Sequence, residues 1–181
     1  MSRITVVNPS TATGVAKTML DAVQAKLGVT PNFIRVLANS SAALESYLGL
    51  HSISGNGKLD LQTRERIAVA LAQQNNCEYC LSAHSYIGRK AGLTGDEIAA
   101  NRQGTSHDAK ASAAVAFARA LVENTGEVTN AELDAVRKVG YGDAEVVEII
   151  VHVGMNLLTN ILNKAARVDI DFPKVELNKA A

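Results

Sequence analysis

The spacing of apolar residues along this chain predicts helices and gives little sign of strands. Helix-forming residues such as alanine and leucine dominate, aromatic residues make up 4% of the chain, and alternation of apolar and polar residues is confined to a weak run at 4–7. We therefore predict an all-α fold, a multi-helix bundle. The helices are expected at about residues 14–27, 31–38, 41–54, 60–74, 77–91, 94–101, 108–124, 129–139 and 143–165.

Several short motifs match the signals that begin and end helices. A threonine three residues before a glutamate is typical of a capping box, and proline is favoured at the first helical position. Glycine commonly follows the last turn. These start signals occur at Thr30-Pro31, Thr94…Glu97 and Thr129…Glu132, and the stop signals at Gly92 and Gly140.

The 181 residues fit one helical domain, and no internal repeat divides them. A turn-rich break at 54–58 separates an amino-terminal helical layer, residues 1–54, from a core at 55–172 that carries the chemistry-bearing motifs. From Val168 onward helical periodicity is lost. We expect this end, with a tail at 173–181, to be extended on the surface or against a neighbouring molecule.

Charge and terminal composition narrow the possible partners and compartment. Eighteen basic and eighteen acidic residues cancel, so no overall field attracts nucleic acid or an anionic membrane. The amino terminus lacks the apolar stretch of a signal peptide, which favours a reducing, cytoplasmic setting. The most apolar stretch, 146–162, is interrupted by Glu148, His152, Asn156 and Asn160. We interpret it as a buried helix of a soluble protein.

Candidate redox chemistry lies in the two cysteines of the chain, which form a C-x-x-C motif at Cys77 and Cys80 with His84 four residues further on. In such a motif the second sulfur can trap the first once it is oxidised. A helix from Glu78 to Lys90 would turn both sulfurs and the imidazole to one face. Asn75 and Asn76 are the expected helix cap, which would place the cysteines in the first turn and favour an acidic thiol.

A glutamate occupies an apolar helical face upstream of the cysteines. In the helix predicted from residue 60 to 74, Glu65 falls within a stripe of alanine, leucine and isoleucine, while Arg64 and Arg66 flank it toward solvent. Burial disfavours the charged form of a carboxyl group, which suits it to carry protons near neutral pH. The alternative is an ordinary Arg–Glu pair at the surface.

Taken together, two motifs resemble the AhpD-like alkylhydroperoxidases of the carboxymuconolactone decarboxylase superfamily. They are Arg64-Glu65 and the Cys77-x-x-Cys80-x-x-x-His84 motif that follows it. The segments 27–33 and 43–48 look like the upstream helices of the peroxidase-related branch of that family. The similarity extends over about residues 15–172.

This resemblance implies a helical subunit that forms a trimer or hexamer and reduces hydroperoxides without a metal or organic cofactor. It makes Cys80 the peroxidatic cysteine and Cys77 the resolving one, with Glu65 and His84 in the proton relay. It also implies a dithiol reductant protein, lipoylated or thioredoxin-like. The chain departs from the family pattern at Tyr79, where a second histidine is expected. The Tyr79 hydroxyl is a possible auxiliary hydrogen-bond donor in its place.

Four other interpretations of the motif stay open. The cysteines, His84 and Glu65 offer a set of zinc ligands. Both cysteines are also compatible with small buried core residues and no chemistry. A redox-sensing or dithiol–disulfide oxidoreductase role would use the same disulfide without peroxide turnover. A decarboxylase-like enzyme of the same superfamily would not rely on the cysteine pair.

Polar residues also recur along the apolar carboxyl-terminal helix. His152 belongs to this stripe, for which we favour a role at a subunit interface over a role in lining a cavity. His51 lies near a helix end, where a solvated or capping role is expected. The members of the stripe are Glu145, Glu148, His152, Asn156, Asn160 and Asn163.

Overall fold

The structure, a computed structural model, describes residues 1–178, and in that range it contains nine α-helices and no strand. The all-α prediction is confirmed, and the weak alternation at 4–7 forms no strand. The helices are α1 (Gly14–Leu27), α2 (Asn32–Leu37), α3 (Ser41–Ser54), α4 (Leu61–Gln74), α5 (Glu78–Lys90), α6 (Gly95–Arg102), α7 (Ala109–Glu123), α8 (Asn130–Lys138) and α9 (Asp143–Ala166).

Helix α4 lies at the centre and packs against α5, α6, α7 and α9. Its residues from Ile67 to Ala72 are all at most 2% exposed, and three of them are alanines. Small side chains let neighbouring helices approach closely, which explains how one helix can contact four others. Helices α1–α3 form a separate apolar cluster at the amino-terminal end, with α3 packed on α9.

Helix α9 is long and apolar enough to cross a membrane by length and composition. One such helix is weak support for a membrane span, because the core helix of a soluble protein meets the same test. Helix α9 contacts α2, α3, α4, α5 and α7. The polar stripe faces inward, since His152, Asn156, Asn160 and Asn163 are each at most 5% exposed. The subunit-interface prediction is wrong for these four residues, which the chain itself covers.

A tight turn joins α4 to α5 and differs from the prediction. The N–H of Asn76 binds the carbonyl of Gln73, and the N–H of Cys77 binds that of Ala72 at 2.9 Å. This is the Schellman arrangement, completed by the left-handed conformation of Asn76 (φ 53°). Asn75 and Asn76 thus end α4 instead of capping α5. The cap of α5 is Cys77 itself.

The carboxyl-terminal segment after α9 is extended, as predicted, and it folds back onto α5 of its own chain. The Val175 N–H donates to the Ser82 hydroxyl at 3.0 Å, and Phe172 packs edge-on against Tyr79. Arg102 reaches the Glu176 carbonyl at 2.7 Å. The segment therefore covers the helix that bears the cysteines. The last three residues of the predicted tail, 179–181, lie outside the described residues.

The predicted caps are correct in part. Thr129 and Glu132 form the complete capping box, and left-handed Gly92 and Gly140 follow the ends of α5 and α8. At α2 the proline is the cap and Asn32 the first helical residue, one position later than predicted. The Thr94 hydroxyl accepts a hydrogen bond from the Glu97 N–H, but the Glu97 carboxylate does not bind the Thr94 N–H, so this capping box is incomplete.

The Glu97 carboxylate instead holds α6 and the following loop to α4. It accepts hydrogen bonds from Arg66 at 2.7 Å, from Ser106 and Asn101, and from the N–H of His107. Burial of Glu97 opposes its ionisation, but these bonds outweigh it and lower its pKa to about 2. The carboxylate is therefore a stabilising group in its charged form.

We expect Glu97→Gln to lower the free energy of unfolding at neutral pH by about 3 kcal/mol. This is the free energy that corresponds to the lowering of the Glu97 pKa from 4.5 to about 2. A depressed carboxyl pKa stabilises the fold above the ordinary pKa of 4.5, and this contribution is lost as pH falls from there toward 2. Urea unfolding across a pH series measures both effects. If the free energy of unfolding of Glu97→Gln falls between pH 4.5 and 2 as steeply as that of the unsubstituted protein, this role is contradicted.

Candidate functional site

The two cysteines meet at the amino-terminal end of α5. They form a disulfide with their Cα atoms 5.3 Å apart, and both residues are at most 2% exposed. The Cys80 N–H donates to the Cys77 sulfur at 3.3 Å, as in a helix cap. Unpaired N–H groups and the helix dipole at this position favour a negative sulfur. The arrangement can therefore switch between a disulfide and a dithiol with an anionic member.

Glu65 of α4 and His84 of α5 form a hydrogen-bonded pair, and His84 lies one helical turn after Cys80. The Glu65 Oε2 lies 2.8 Å from the His84 Nδ1, and the side chains are 11% and 23% exposed. Helices α4 and α5 approach closely here, since a Cβ added at Gly88 would lie 3.7 Å from the Glu65 Cβ. Glu65 is thus buried, and its partner is a histidine one helix away. The alternative of an Arg–Glu surface pair is wrong.

The flanking arginines take other roles than the predicted solvent-facing ones. Arg66 is bound to Glu97, and Arg64 is also partly buried. Within the described residues His84 makes no hydrogen bond to either sulfur, and its Nδ1 is directed to Glu65. Its Nε2 is the ring nitrogen left to exchange protons with a thiol or a substrate.

Tyr79 connects the site to the carboxyl-terminal segment. Its hydroxyl donates to the Asp171 carboxylate at 2.7 Å and accepts the Phe33 N–H at 3.3 Å. Burial raises the pKa of this hydroxyl, and the bond to Asp171 raises it further. The hydroxyl makes no hydrogen bond to Glu65, His84 or a sulfur within residues 1–178. In this conformation Tyr79 therefore acts as a structural tie to the segment that covers α5.

Two further residues near the pair come from α3 and were not predicted. Burial raises the pKa of the Tyr47 hydroxyl, and the neighbouring Glu65 carboxylate raises it further. The His51 ring lies 5.9 Å from the Tyr47 ring. His51 is exposed, in agreement with the solvated role expected for it; desolvation by neighbouring atoms lowers its pKa, Lys26 acts in the same direction, and Glu65 opposes them. The i, i+4 spacing of Tyr47 and His51 was the available signal, but only tertiary packing brings α3 to Glu65.

Asn163 of α9 is a third residue that the sequence did not assign to the site. Its Nδ2 donates to the Cys80 sulfur at 3.4 Å, and the residue is 5% exposed. The sequence placed Asn163 in the polar stripe of its helix. Its contact with Cys80 depends on how α9 crosses α5, which no local pattern indicates.

No group of three or more histidine, cysteine, aspartate or glutamate side chains within residues 1–178 is arranged to hold a metal ion. The four candidate zinc ligands are separated into a disulfide and a Glu–His pair. A disulfide sulfur is a poor zinc ligand, since zinc binds the thiolate form. The geometry in this state is thus one of thiol–disulfide chemistry with a nearby proton carrier.

Comparisons with known proteins agree with this arrangement. Residues 41–123 match the family model of the carboxymuconolactone decarboxylase family. This range contains Glu65, both cysteines and His84. No protein among the curated sequences matches the chain.

Solved structures share the fold over almost the whole chain. The AhpD core of an uncharacterized peroxidase-related protein from Ralstonia eutropha JMP134 is 25% identical, with a TM-score of 0.82, covering 94% of this chain and 92% of that one. A peroxidase-related protein from Silicibacter sp. TM1040 is 23% identical, with a TM-score of 0.80 and coverages of 93% and 91%.

A third similar structure is a cysteine-to-alanine variant of the debrominase Bmp8 in complex with 2,3,4-tribromopyrrole. It is 21% identical to this chain, with a TM-score of 0.78, and the alignment covers 94% of both chains. At this identity the likeness concerns the fold. Proteins with this fold therefore include a debrominase as well as peroxidase-related proteins.

Proposed function

From the premise that this chain is an AhpD-like protein of the carboxymuconolactone decarboxylase superfamily, we propose that it is a thiol-dependent peroxidase that reduces hydroperoxides through Cys77 and Cys80. One observation carries the proposal: the helix that begins with the cysteine disulfide also holds His84 against the buried Glu65. A redox-active pair and a proton carrier on adjoining helices are the two components that this reaction requires.

In the proposed cycle, the Glu65–His84 relay removes the proton from the Cys80 thiol. The Cys80 thiolate attacks the terminal oxygen of the hydroperoxide, an S–O bond forms, and the O–O bond breaks. The alkoxide takes up the proton and leaves as an alcohol, and Cys80 is left as a sulfenic acid. The Cys77 thiol then displaces water from Cys80, and the disulfide forms.

Turnover requires two electrons from outside the protein. We propose that a dithiol protein, lipoylated or thioredoxin-like, supplies them in a cytoplasmic setting and becomes a disulfide itself. The reaction needs no metal or organic cofactor. Because both sulfurs are almost fully buried, the carboxyl-terminal segment or the helices around α5 must move to admit so large a partner.

We expect one equivalent of cumene hydroperoxide to remove both thiols of the reduced, metal-free protein rapidly, with a mass decrease of about two daltons from the lost hydrogens. Intact-mass analysis with thiol counting measures this. The control is the same protein alkylated beforehand. Two persistent thiols at neutral pH would contradict the peroxidase proposal and favour a decarboxylase-like or purely structural role for the fold.

A redox-sensing or dithiol–disulfide oxidoreductase role is the second candidate, because the same disulfide and its covering segment suit a switch. The two functions differ in turnover. A peroxidase consumes a dithiol such as dihydrolipoamide continuously when peroxide is supplied, whereas a sensor is oxidised once. Steady consumption of reductant that stops when peroxide is omitted would exclude the sensor.

We propose that the subunit assembles into a homo-oligomer, a trimer or a hexamer. The exposed face of α9 supports this, because large apolar side chains follow one another along it without cover from the chain. Light scattering after size-exclusion chromatography measures the assembly, and a monomer at micromolar concentration would contradict it. The exposed residues of this face are Val147, Ile150, Val151, Leu158 and Ile161.

A further inference from the structure

The amide of Asn163 is placed to serve an anionic sulfur at Cys80. Its Nδ2 donates to the Cys80 Sγ at 3.4 Å in an environment where both residues are at most 5% exposed. A disulfide sulfur is a weak acceptor, and a thiolate is a strong one. A buried N–H directed at this atom therefore gains most of its hydrogen-bond energy when the disulfide is reduced and Cys80 is ionised.

The other atom of the same amide has no partner. The Asn163 Oδ1 is buried and accepts no hydrogen bond within the described residues, and the Nδ2 of Asn160, one turn away, is also unpaired. Buried polar atoms are nearly always paired, because leaving them unpaired costs stability. Because the Asn163 Oδ1 belongs to the amide that contacts the sulfur, it marks a place where a substrate completes the hydrogen bonding.

An open cavity reaches this face of α9. It has a volume of about 490 Å³ and is lined by Asn75, Asn76, Asn160 and Lys164, among others. Asn75 and Asn76 directly precede Cys77, and Asn160 shares its helix face with Asn163. The cavity wall therefore includes the chain neighbours of Cys77 and a residue one turn from Asn163, but neither cysteine and not Asn163 itself.

We infer that Asn163 is a catalytic residue of hydroperoxide reduction: its N–H stabilises the Cys80 thiolate, and its Oδ1 accepts the O–H of the hydroperoxide. This inference rests on the proposed function. The hydroperoxide is held by its O–H with the terminal oxygen against the sulfur. Sulfur–oxygen bond formation and O–O cleavage follow, and the O–H of the resulting sulfenic acid keeps the bond to Oδ1.

The test uses the Cys77→Ser protein, in which Cys80 is the single thiol, with and without Asn163→Leu. Two quantities are measured: the pH midpoint of iodoacetamide alkylation, and the rate constant with cumene hydroperoxide at a pH where the thiol is fully ionised. We expect Asn163→Leu to raise the midpoint by about one pH unit and to lower the rate constant about tenfold or more, as for a lost bond to a charged group.

The matched control is Asn156→Leu, which removes another buried amide of α9. The Asn156 amide donates to the His152 carbonyl and makes no bond to a sulfur. This variant is expected to change neither quantity. Asn163→Asp is a second variant with almost the same shape. It keeps an acceptor, loses the N–H and adds a negative charge, and should therefore raise the midpoint further than leucine does. Circular dichroism and thermal melting establish that each variant is folded.

Equal midpoints and equal rate constants in Asn163→Leu and Asn156→Leu would overturn the inference. A raised midpoint with an unchanged rate constant would overturn the peroxide contact at Oδ1 and uphold the thiolate contact at Nδ2. If the parent protein does not react with peroxide at all, the proposed function fails. The alkylation midpoints then still decide whether Asn163 stabilises the Cys80 thiolate.

Discussion

Cys80→Ser is expected to abolish the reaction with hydroperoxides, whereas Cys77→Ser is expected to permit one oxidation and then stop. The reason is that a serine hydroxyl cannot form the sulfenic acid on which the cycle depends. Without Cys77, the sulfenic acid at Cys80 has no neighbouring thiol to condense with. Trapping with dimedone followed by intact-mass analysis should detect an adduct in Cys77→Ser and none in Cys80→Ser.

The substitutions are conservative enough to keep the fold intact. Serine has nearly the shape of cysteine, and a disulfide that closes so short a loop contributes little through unfolded-chain entropy. Serine is also a good helix cap, so Cys77→Ser retains the start of α5. Adduct formation in Cys80→Ser alone would reverse the roles of the two cysteines, and equal adduct formation in both would refute the assignment.

The second large effect is expected from Glu65→Gln, which should slow peroxide reduction at neutral pH about a hundredfold, the usual range for losing general acid–base assistance. Glutamine has the size of glutamate and can still hydrogen-bond to the His84 Nδ1, but it carries no charge to stabilise a protonated imidazole. Stopped-flow measurement of thiol oxidation in the reduced protein gives the rate constant directly.

Glu97→Gln is the matched control, because it neutralises another buried carboxylate that holds a side chain of α4. The two variants should affect different quantities. Glu65→Gln should oxidise its thiols more slowly, whereas Glu97→Gln should be less stable while its rate of thiol oxidation is unchanged. Should Glu65→Gln oxidise as fast as the unsubstituted protein, the carboxylate would be a structural partner of His84 and no part of the relay.

Local sequence patterns were sufficient for the helices because helix formation depends on contacts between residues three and four positions apart. Their limits appear at the turn before Cys77. Two asparagines before a helical segment resemble an amino-terminal cap, yet Asn76 adopts the left-handed conformation that closes α4. Asparagine serves both roles, and the tight turn that returns α5 against α4 uses the second of them.

The residues of the candidate site likewise fall into those that local sequence patterns indicate and those that only tertiary packing brings together. The sequence by itself indicated the cysteine pair at the start of a helix and the histidine that follows, since each depends on spacing within one helix. It placed Glu65 in an apolar stripe but left a surface pair with arginine open, and only the packing of α4 buried this carboxylate. Tertiary structure alone decided that Asn163, Tyr47 and His51 lie near them, and that Tyr79 is tied to Asp171. Contacts between distant segments follow from how helices cross, and crossing is set by the packing of the whole core.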